Sequence, residues 1–426
     1  MNDLKLSFMT LDDGYEIAIS PNTDETKELF FSLLSCFGEI EDGVLKVKSE
    51  QKATTELKQK IAEFTKSHSA ASPILNKLNS KISSIPENQF FLVLNDIPED
   101  TAQKHNLEIY LLSLNETDGK RLTREEFEAK TKITQEIFGE LMENYNIHQP
   151  RNDRRTIIGN AKKDHRKCRF CGNGLCDGAT FSKIAHAIPE ALGNKNIILA
   201  DECDSCNEFF GNDIEPNLIE HLDIYRTFLG VKGKNGTPTI TYKNGKILNK
   251  DGMAVVIAEK INENPEQELS VNLNSSKKLT PIKLYKALCK ITLSTIAEEE
   301  LSGLSTTIRW LRYGESPSNS VPKVAVNAIH AGFSRQPQIT NYIRKSNNAS
   351  FPHVVSEFRI GSFVYVYVIP FSEKDELDFS DPLNFDRYWN QFKHYNHVPG
   401  WRFDNLERTS EIIVNETIRM IKSGNA

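Results

Sequence analysis

The sequence predicts an α+β protein in which a small cysteine-bearing finger lies between two larger α+β domains. Three observations predict it. Two Cys-x2-Cys pairs, Cys168 with Cys171 and Cys203 with Cys206, stand in mid-chain; some flanking segments carry apolar residues at helical spacing; others are short runs of β-forming residues. A chain of 426 residues is long enough for two or three domains, and we place them at 1–148, 149–235 and 236–426. With 38% hydrophobic and 26% charged residues against 22 Gly and 17 Pro, the composition excludes collagenous, mucin-like or largely disordered chains. A net charge of −6 gives no global attraction to nucleic acid or anionic lipid, so such a partner needs a local basic patch. The start Met1-Asn2-Asp3-Leu4-Lys5 lacks the pattern of a secretory leader, and no run approaches the roughly 18 apolar residues of a membrane helix. A soluble, cytoplasmic protein with no membrane partner is expected.

In chain order, Leu57, Ile61 and Phe64 predict a helix, and Phe90 to Leu94 and Leu107 to Leu112 predict buried strands. Thr123 and Glu126 form a capping box that opens a helix striped by Ile133, Ile137 and Leu141. No catalytic constellation stands in this first domain, which is read as a packed domain or as a sensor, partner or target-selecting module. From Gln149 to Arg169 the chain turns basic: Arg151, Arg154, Arg155, Lys162, Lys163, Arg166, Lys167 and Arg169 against Asp153 and Asp164. Beyond residue 230, Thr237 to Tyr242 and Ile247-Leu248 predict a hairpin turned by Asn244-Gly245, since Asn-Gly supplies positive φ angles. Thr280-Pro281 opens a helix with Leu284, Leu288 and Ile291 on one face. Phe363 to Ile369 is strand-like, Phe385 to Trp389 with His394 and His397 reads as a folded aromatic cluster, and a last helix is expected from about Ser410 to Ile421.

The chemistry is concentrated in residues 168–215. Seven cysteines is an odd number; Cys36 and Cys289 sit in apolar surroundings and read as small buried hydrophobes. Paired cysteines in a reducing compartment are more often metal ligands than disulfides. Four thiolates in two knuckles satisfy a tetrahedral Zn²⁺ with no open position, the mark of a structural zinc; Cys176 and His165 are the alternative ligands.

The order Cys168-x2-Cys171, then His186-Ala-Ile-Pro189 with Leu192-Gly193, then Cys203-x2-Cys206-Asn207 resembles the HNH endonucleases, or ββα-metal nucleases, in their four-cysteine zinc branch. The resemblance spans about 165 to 225 and implies a metal-dependent endonuclease hydrolysing phosphodiester bonds of DNA. It implies that His186 is the general base, imidazole titrating near neutrality, and that Asn207 helps hold a Mg²⁺- or Mn²⁺-type cation beside the phosphate. The basic run, with Arg226, Lys232 and Lys234, would contact phosphates. By analogy with the family, a bacterial defence setting such as antiphage immunity is implied.

One position departs from the family pattern. Ala185 stands where an acidic or histidine metal ligand is the rule, and a methyl group coordinates nothing. Either Glu190, Asp201, Glu202, Asp213 or Glu215 replaces it, or Asn207 and substrate hold the cation alone, or the site is degenerate. Asn194 and Asn196 are both open as the loop residue orienting the base. The alternative function is therefore a zinc-stabilised nucleic-acid-binding or scaffolding protein that does not cleave, and a third reading is a nuclease gated by its terminal domains through a protein partner or an oligomer. The residue pattern does not separate DNA from RNA.

Overall fold

Strand order and register are those of a computed structural model, which describes residues 4–11, 14–20, 22–68, 73–98, 101–152, 155–233, 236–260, 262–263, 268–275, 277–328 and 334–421. Arg154, Asp153 and Lys234 lie outside them. The chain divides into two units, Met1–Ile137 and Phe138–Ala426. The sequence placed cuts at 148 and 235 instead. Residues on both sides of 235 share one core, which is why no division falls there.

The first unit runs β1 (Leu4–Met9), β2 (Gly14–Ile19), α1 (Asp24–Ser35), β3 (Gly38–Glu41), β4 (Val44–Val47), β5 (Glu50–Lys52), α2 (Thr55–Ser67), α3 (Pro73–Ser84), β6 (Phe90–Leu94), α4 (Thr101–Glu116) and the start of α5 (Arg124–Asn144). An antiparallel sheet in the order β2-β1-β6-β5 buries Leu6, Phe8, Ile17, Phe91 and Val93 against Ile61, Phe64, Leu75, Leu78 and Ile82 of α2 and α3. Thr123 and Glu126 cap α5 reciprocally, the Thr123 amide donating to Glu126 at 2.8 Å and the Glu126 amide to the Thr123 hydroxyl at 3.2 Å. Leu107 to Leu112 is not a strand but the middle of α4. Leu107, Tyr110, Leu111 and Leu114 recur at helical spacing against Met9 and Leu92, and that packing outweighs the β-like composition.

The second unit continues with β7 (Tyr145–His148), β8 (Thr156–Ile158), β9 (Ala185–His186), β10 (Ile197–Leu199), α6 (Asp204–Phe209), α7 (Glu215–Leu229), β11 (Ile240–Tyr242), β12 (Gly245–Lys250), β13 (Met253–Ala258), β14 (Asn262–Glu263), β15 (Glu268–Leu273) and β16 (Lys278–Leu279). It closes with α8 (Pro281–Thr295), α9 (Ser305–Tyr313), β17 (Val324–Ala328), β18 (Ser334–Arg344), β19 (Val354–Gly361), β20 (Phe363–Val368), α10 (Pro382–Gln391), α11 (Lys393–Asn396), β21 (Arg402–Asp404), β22 (Ile412–Ile413) and β23 (Glu416–Ile421). A six-stranded sheet in the order β21-β17-β20-β19-β18-β7 is its scaffold. One face holds the aromatic cluster of Phe385, Tyr388, Trp389, Phe392 and Tyr395. The core on α8 joins Ile339, Val354, Phe358 and Tyr367 of the sheet to Ala187, Leu199, Phe210, Leu218 and Leu222 of the finger. Helix α8 is buried on nearly every side, so its Leu284, Leu288 and Ile291 are part of a wrapped surface rather than a stripe.

Two expectations fail here for reasons of tertiary pairing. The segment from Ser410 to Ile421 forms β22 and β23, and β23 pairs with β15 from Leu273↔Glu416 to Glu268↔Ile421. The β11–β12 hairpin exists, but Tyr242 pairs with Gly245, so Lys243 and Asn244 make the turn and neither has positive φ. Gly245 is there for space: a Cβ on it would meet the Ile257 carbonyl oxygen at 2.4 Å and Leu273 Cδ2 at 2.8 Å.

Candidate active site

The first knuckle is a tight turn. The Gly172 amide donates to the Cys168 carbonyl at 2.7 Å, with Gly172 at φ 76°, and the Cys168 amide donates to Asn173 at 2.9 Å. The second knuckle is a helix start, for Cys203 is the N-cap of α6 and its sulfur accepts the Cys206 amide at 3.4 Å. The four sulfurs lie within 4.8 Å of one another, and Cys171 and Cys203 are 3.7 Å apart. Four sulfurs at about 2.3 Å from a tetrahedral Zn²⁺ are separated by similar distances, so the set fits a structural zinc. A hydrogen bond from Cys206 draws the Cys168 thiol down to about 5, while burial pushes Cys203 up to about 11, the spread of thiols close enough to titrate together. From α9, Arg312 Nε donates to Cys206 Sγ at 3.3 Å and its guanidinium covers the Phe209 ring at 4.5 Å. Cys176 is exposed and is not in the cluster, and neither is His165.

Between the knuckles, β9 pairs antiparallel with β10, Ala185 facing Leu199 and His186 facing Ile198, and α6 follows. Two short strands and a helix are thus fastened at one end by the cysteine cluster. The lead-in to β9 is clamped by Asp204, whose carboxylate accepts from the Thr180 hydroxyl at 2.6 Å and from the Ser182 and Lys183 amides at 3.0 and 2.8 Å. Burial raises the Asp204 pKa, but these donors outweigh it and hold it below the usual value. After β9 the chain turns at Gly193, whose φ of 100° suits glycine. Asn194 then ties the loop, donating to the carbonyls of Ile188 and Ile197 at 2.8 and 2.9 Å and accepting the Asn196 and Ile197 amides. Of the two asparagines open to the sequence, Asn194 is the one that organises the loop behind His186. Asn196 reaches away to the Asn152 carbonyl.

His186 is half-buried at the end of β9, its Nε2 3.9 Å from Glu190. Asn207 is half-buried in α6. Ala185 is buried among core residues. Among the carboxylates open to replace the ligand missing there, Asp201 is clamped by Arg169, Glu202 and Glu215 pair with Lys290 at 3.2 and 3.0 Å, and Asp213 pairs with Lys283. Glu190 is the one beside the imidazole.

The basic run divides. Arg155, Lys162, Lys163 and Lys167 are exposed; Arg151 and Arg166 are half-buried, and Arg166 donates to the Asn160 and Ala161 carbonyls at 2.9 and 3.0 Å. Arg169 does not reach a phosphate. Its guanidinium is 1% exposed, holds both oxygens of Asp201 at 2.9 and 2.8 Å, and donates to the Leu293 carbonyl at 2.6 Å. Buried Arg226 is likewise spent on Asp223. Sequence spacing groups these cations; only burial separates the surface ones from the clamps.

Residues 168–223 match the family model described as HNH endonuclease. The chain carries an HNH endonuclease domain. The match covers a minor part of the chain, and neither the curated proteins nor the solved structures compared with it yield a match. Among the described residues no helix is long and apolar enough to cross a membrane. The HNH segment holds both knuckles, β9, β10, α6 and the first part of α7, whereas Lys290, which contacts three parts of it, lies outside the match. Sequence reading missed Lys290, yet it is the only charged residue from Ala287 to Ala297, which was a usable signal.

Proposed function

We propose that the chain is a metal-dependent endonuclease that hydrolyses phosphodiester bonds of DNA at the HNH domain, with His186 as general base. The observation that carries this reading is the family match laid over a strand-strand-helix finger, with His186 closing the first strand and Asn207 in the helix. Imidazole takes the proton of an attacking water, and its place beside Glu190 lets a carboxylate steady the imidazolium that results. Asn207 offers an amide oxygen, and Glu190 a carboxylate, to a Mg²⁺- or Mn²⁺-type ion. Such an ion, when bound, supplies neutralisation of the charge that builds on the phosphate. Exposed Lys162, Lys163, Lys167 and Arg155 supply sequence-independent affinity for the backbone, which disposes an acidic protein to bind on one face. Cleavage of foreign DNA in antiphage defence is the setting we favour, and an oligomer or partner protein would act through the parts outside the finger.

Ala185 favours a second reading, a zinc-stabilised nucleic-acid-binding protein that does not cut. Plasmid and single-stranded RNA incubated with Mg²⁺ or Mn²⁺, beside the same reactions with His186→Ala, separate the two. The nuclease reading expects nicking of plasmid by the wild-type chain and its loss, with gel retardation in EDTA retained, in the variant. Equal cutting by both proteins removes His186 from the mechanism, and retardation with no cutting under either metal supports the binder.

A further inference from the structure

We infer that Lys290, outside the family match, is a positioning residue for the catalytic strand: its ammonium fixes the backbone of His186 and so makes the HNH finger depend on helix α8. The inference rests on the nuclease reading only where it speaks of turnover.

The geometry begins at the edge of the small sheet. Its strand order is β8-β10-β9, so β9 has a partner on one side alone. The Ala187 amide donates to the Ile197 carbonyl at 3.1 Å, which makes His186, one residue earlier, a position whose carbonyl turns away from β10. That carbonyl faces a lysine side chain that is 1% exposed, and an unmatched one there is costly. Lys290 Nζ donates to it at 3.2 Å. The same ammonium, 1% exposed, lies 3.0 Å from Glu215 at the start of α7 and 3.2 Å from Glu202 just before the second knuckle. It also stands 5.9 Å from the centre of the Phe210 ring. One cation thus ties three separated pieces of the HNH segment: the strand that ends in His186, the approach to Cys203, and the helix after the finger.

A lysine is a poor choice for stability alone. Buried ion pairs are often replaced by apolar groups at no loss, because desolvation offsets their attraction. What an apolar residue cannot do is donate to the His186 carbonyl. A hydrogen bond that orders one backbone position beside the reacting group is the kind of contact whose loss lowers turnover without touching substrate affinity.

The test uses the full chain with Lys290→Met, with the double variant Lys290→Met/Glu202→Gln, which removes the donor without stranding a buried carboxylate, and with Lys290→Arg, which restores a cation. Zinc content, melting temperature, steady-state nicking and amide exchange of residues 184–188 are measured together. We expect Lys290→Met alone to lower the melting temperature, because it strands the buried Glu202, and the double variant to keep zinc and most of the melting temperature, to lower kcat by about tenfold at unchanged KM for DNA, and to speed exchange of 184–188 by a similar factor. Lys290→Arg recovers part of both. Unchanged kcat and unchanged exchange in the double variant overturn the inference. So does an activity loss in the double variant that tracks lost zinc and lowered melting temperature, which marks a merely structural residue. If the wild-type chain does not nick nucleic acid at all, the nuclease reading fails by itself, and the exchange of 184–188 still decides whether Lys290 orders the strand.

Discussion

Arg169→Met is the perturbation that best separates a clamp from a phosphate contact. In the wild type the guanidinium neutralises Asp201 with two short hydrogen bonds and covers carbonyls at the end of α8, all of it buried. Methionine leaves the Asp201 carboxylate alone in the interior, where breaking a buried pair costs about 3–5 kcal/mol. In a domain of this size class, about 4 kcal/mol lowers the melting temperature by roughly 10 °C. Thermal melts, together with the double variant carrying Asp201→Asn, measure it; the second substitution recovers stability by removing the stranded charge. An unchanged melting temperature, with DNA affinity lowered and the salt dependence of binding reduced by about one ion, refutes the argument and returns Arg169 to the phosphate-binding set.

Other outcomes follow from the same coordinates. Cys203→Ala removes a ligand and the N-cap of α6, so zinc released to a colorimetric chelator falls and DNA retardation is lost, whereas Asn207→Ala keeps zinc and retardation while losing nicking. Burial pushes the Asp375 carboxyl up to about 7, the His353 amide and Arg344 offsetting it only in part. The folded state therefore holds this proton more tightly than the unfolded chain, and stability falls as pH rises from about 4 to 7. Asp375→Asn removes that slope, and its stability relative to wild type, read by urea titration, rises by about 3 kcal/mol across the interval. Gly245→Ala places a methyl group against the Ile257 carbonyl and costs about 2 kcal/mol or more in the same titration, even though its φ is one that alanine adopts.

The cysteine spacing, the His186-x-x-Pro189 step and Cys206-Asn207 were enough to locate the finger, because ligand geometry is written in short-range order. Capping at Thr123 and the period of Leu57, Ile61 and Phe64 were legible for the same reason. What was hidden depends on partners far along the chain. Glu416 to Ile421 is a strand because Glu268 to Leu273 lies beside it, and Leu107 to Leu112 is helical because one side of that helix meets Met9 and Leu92. Charge was misread where burial decides its use: Arg169 and Lys162 look alike in the basic run, yet one is sealed inside and the other is wet.

The core that Phe210, Leu218 and Leu222 share with α8 and the large sheet sets the smallest portable HNH domain. A fragment trimmed to 168–223 keeps the four clustered cysteines but strips the cover from those three side chains and leaves Glu202 without its counter-ion. Grafting the finger onto another protein therefore calls for carrying its neighbours through Ile369 as well, or for redesigning that exposed underside.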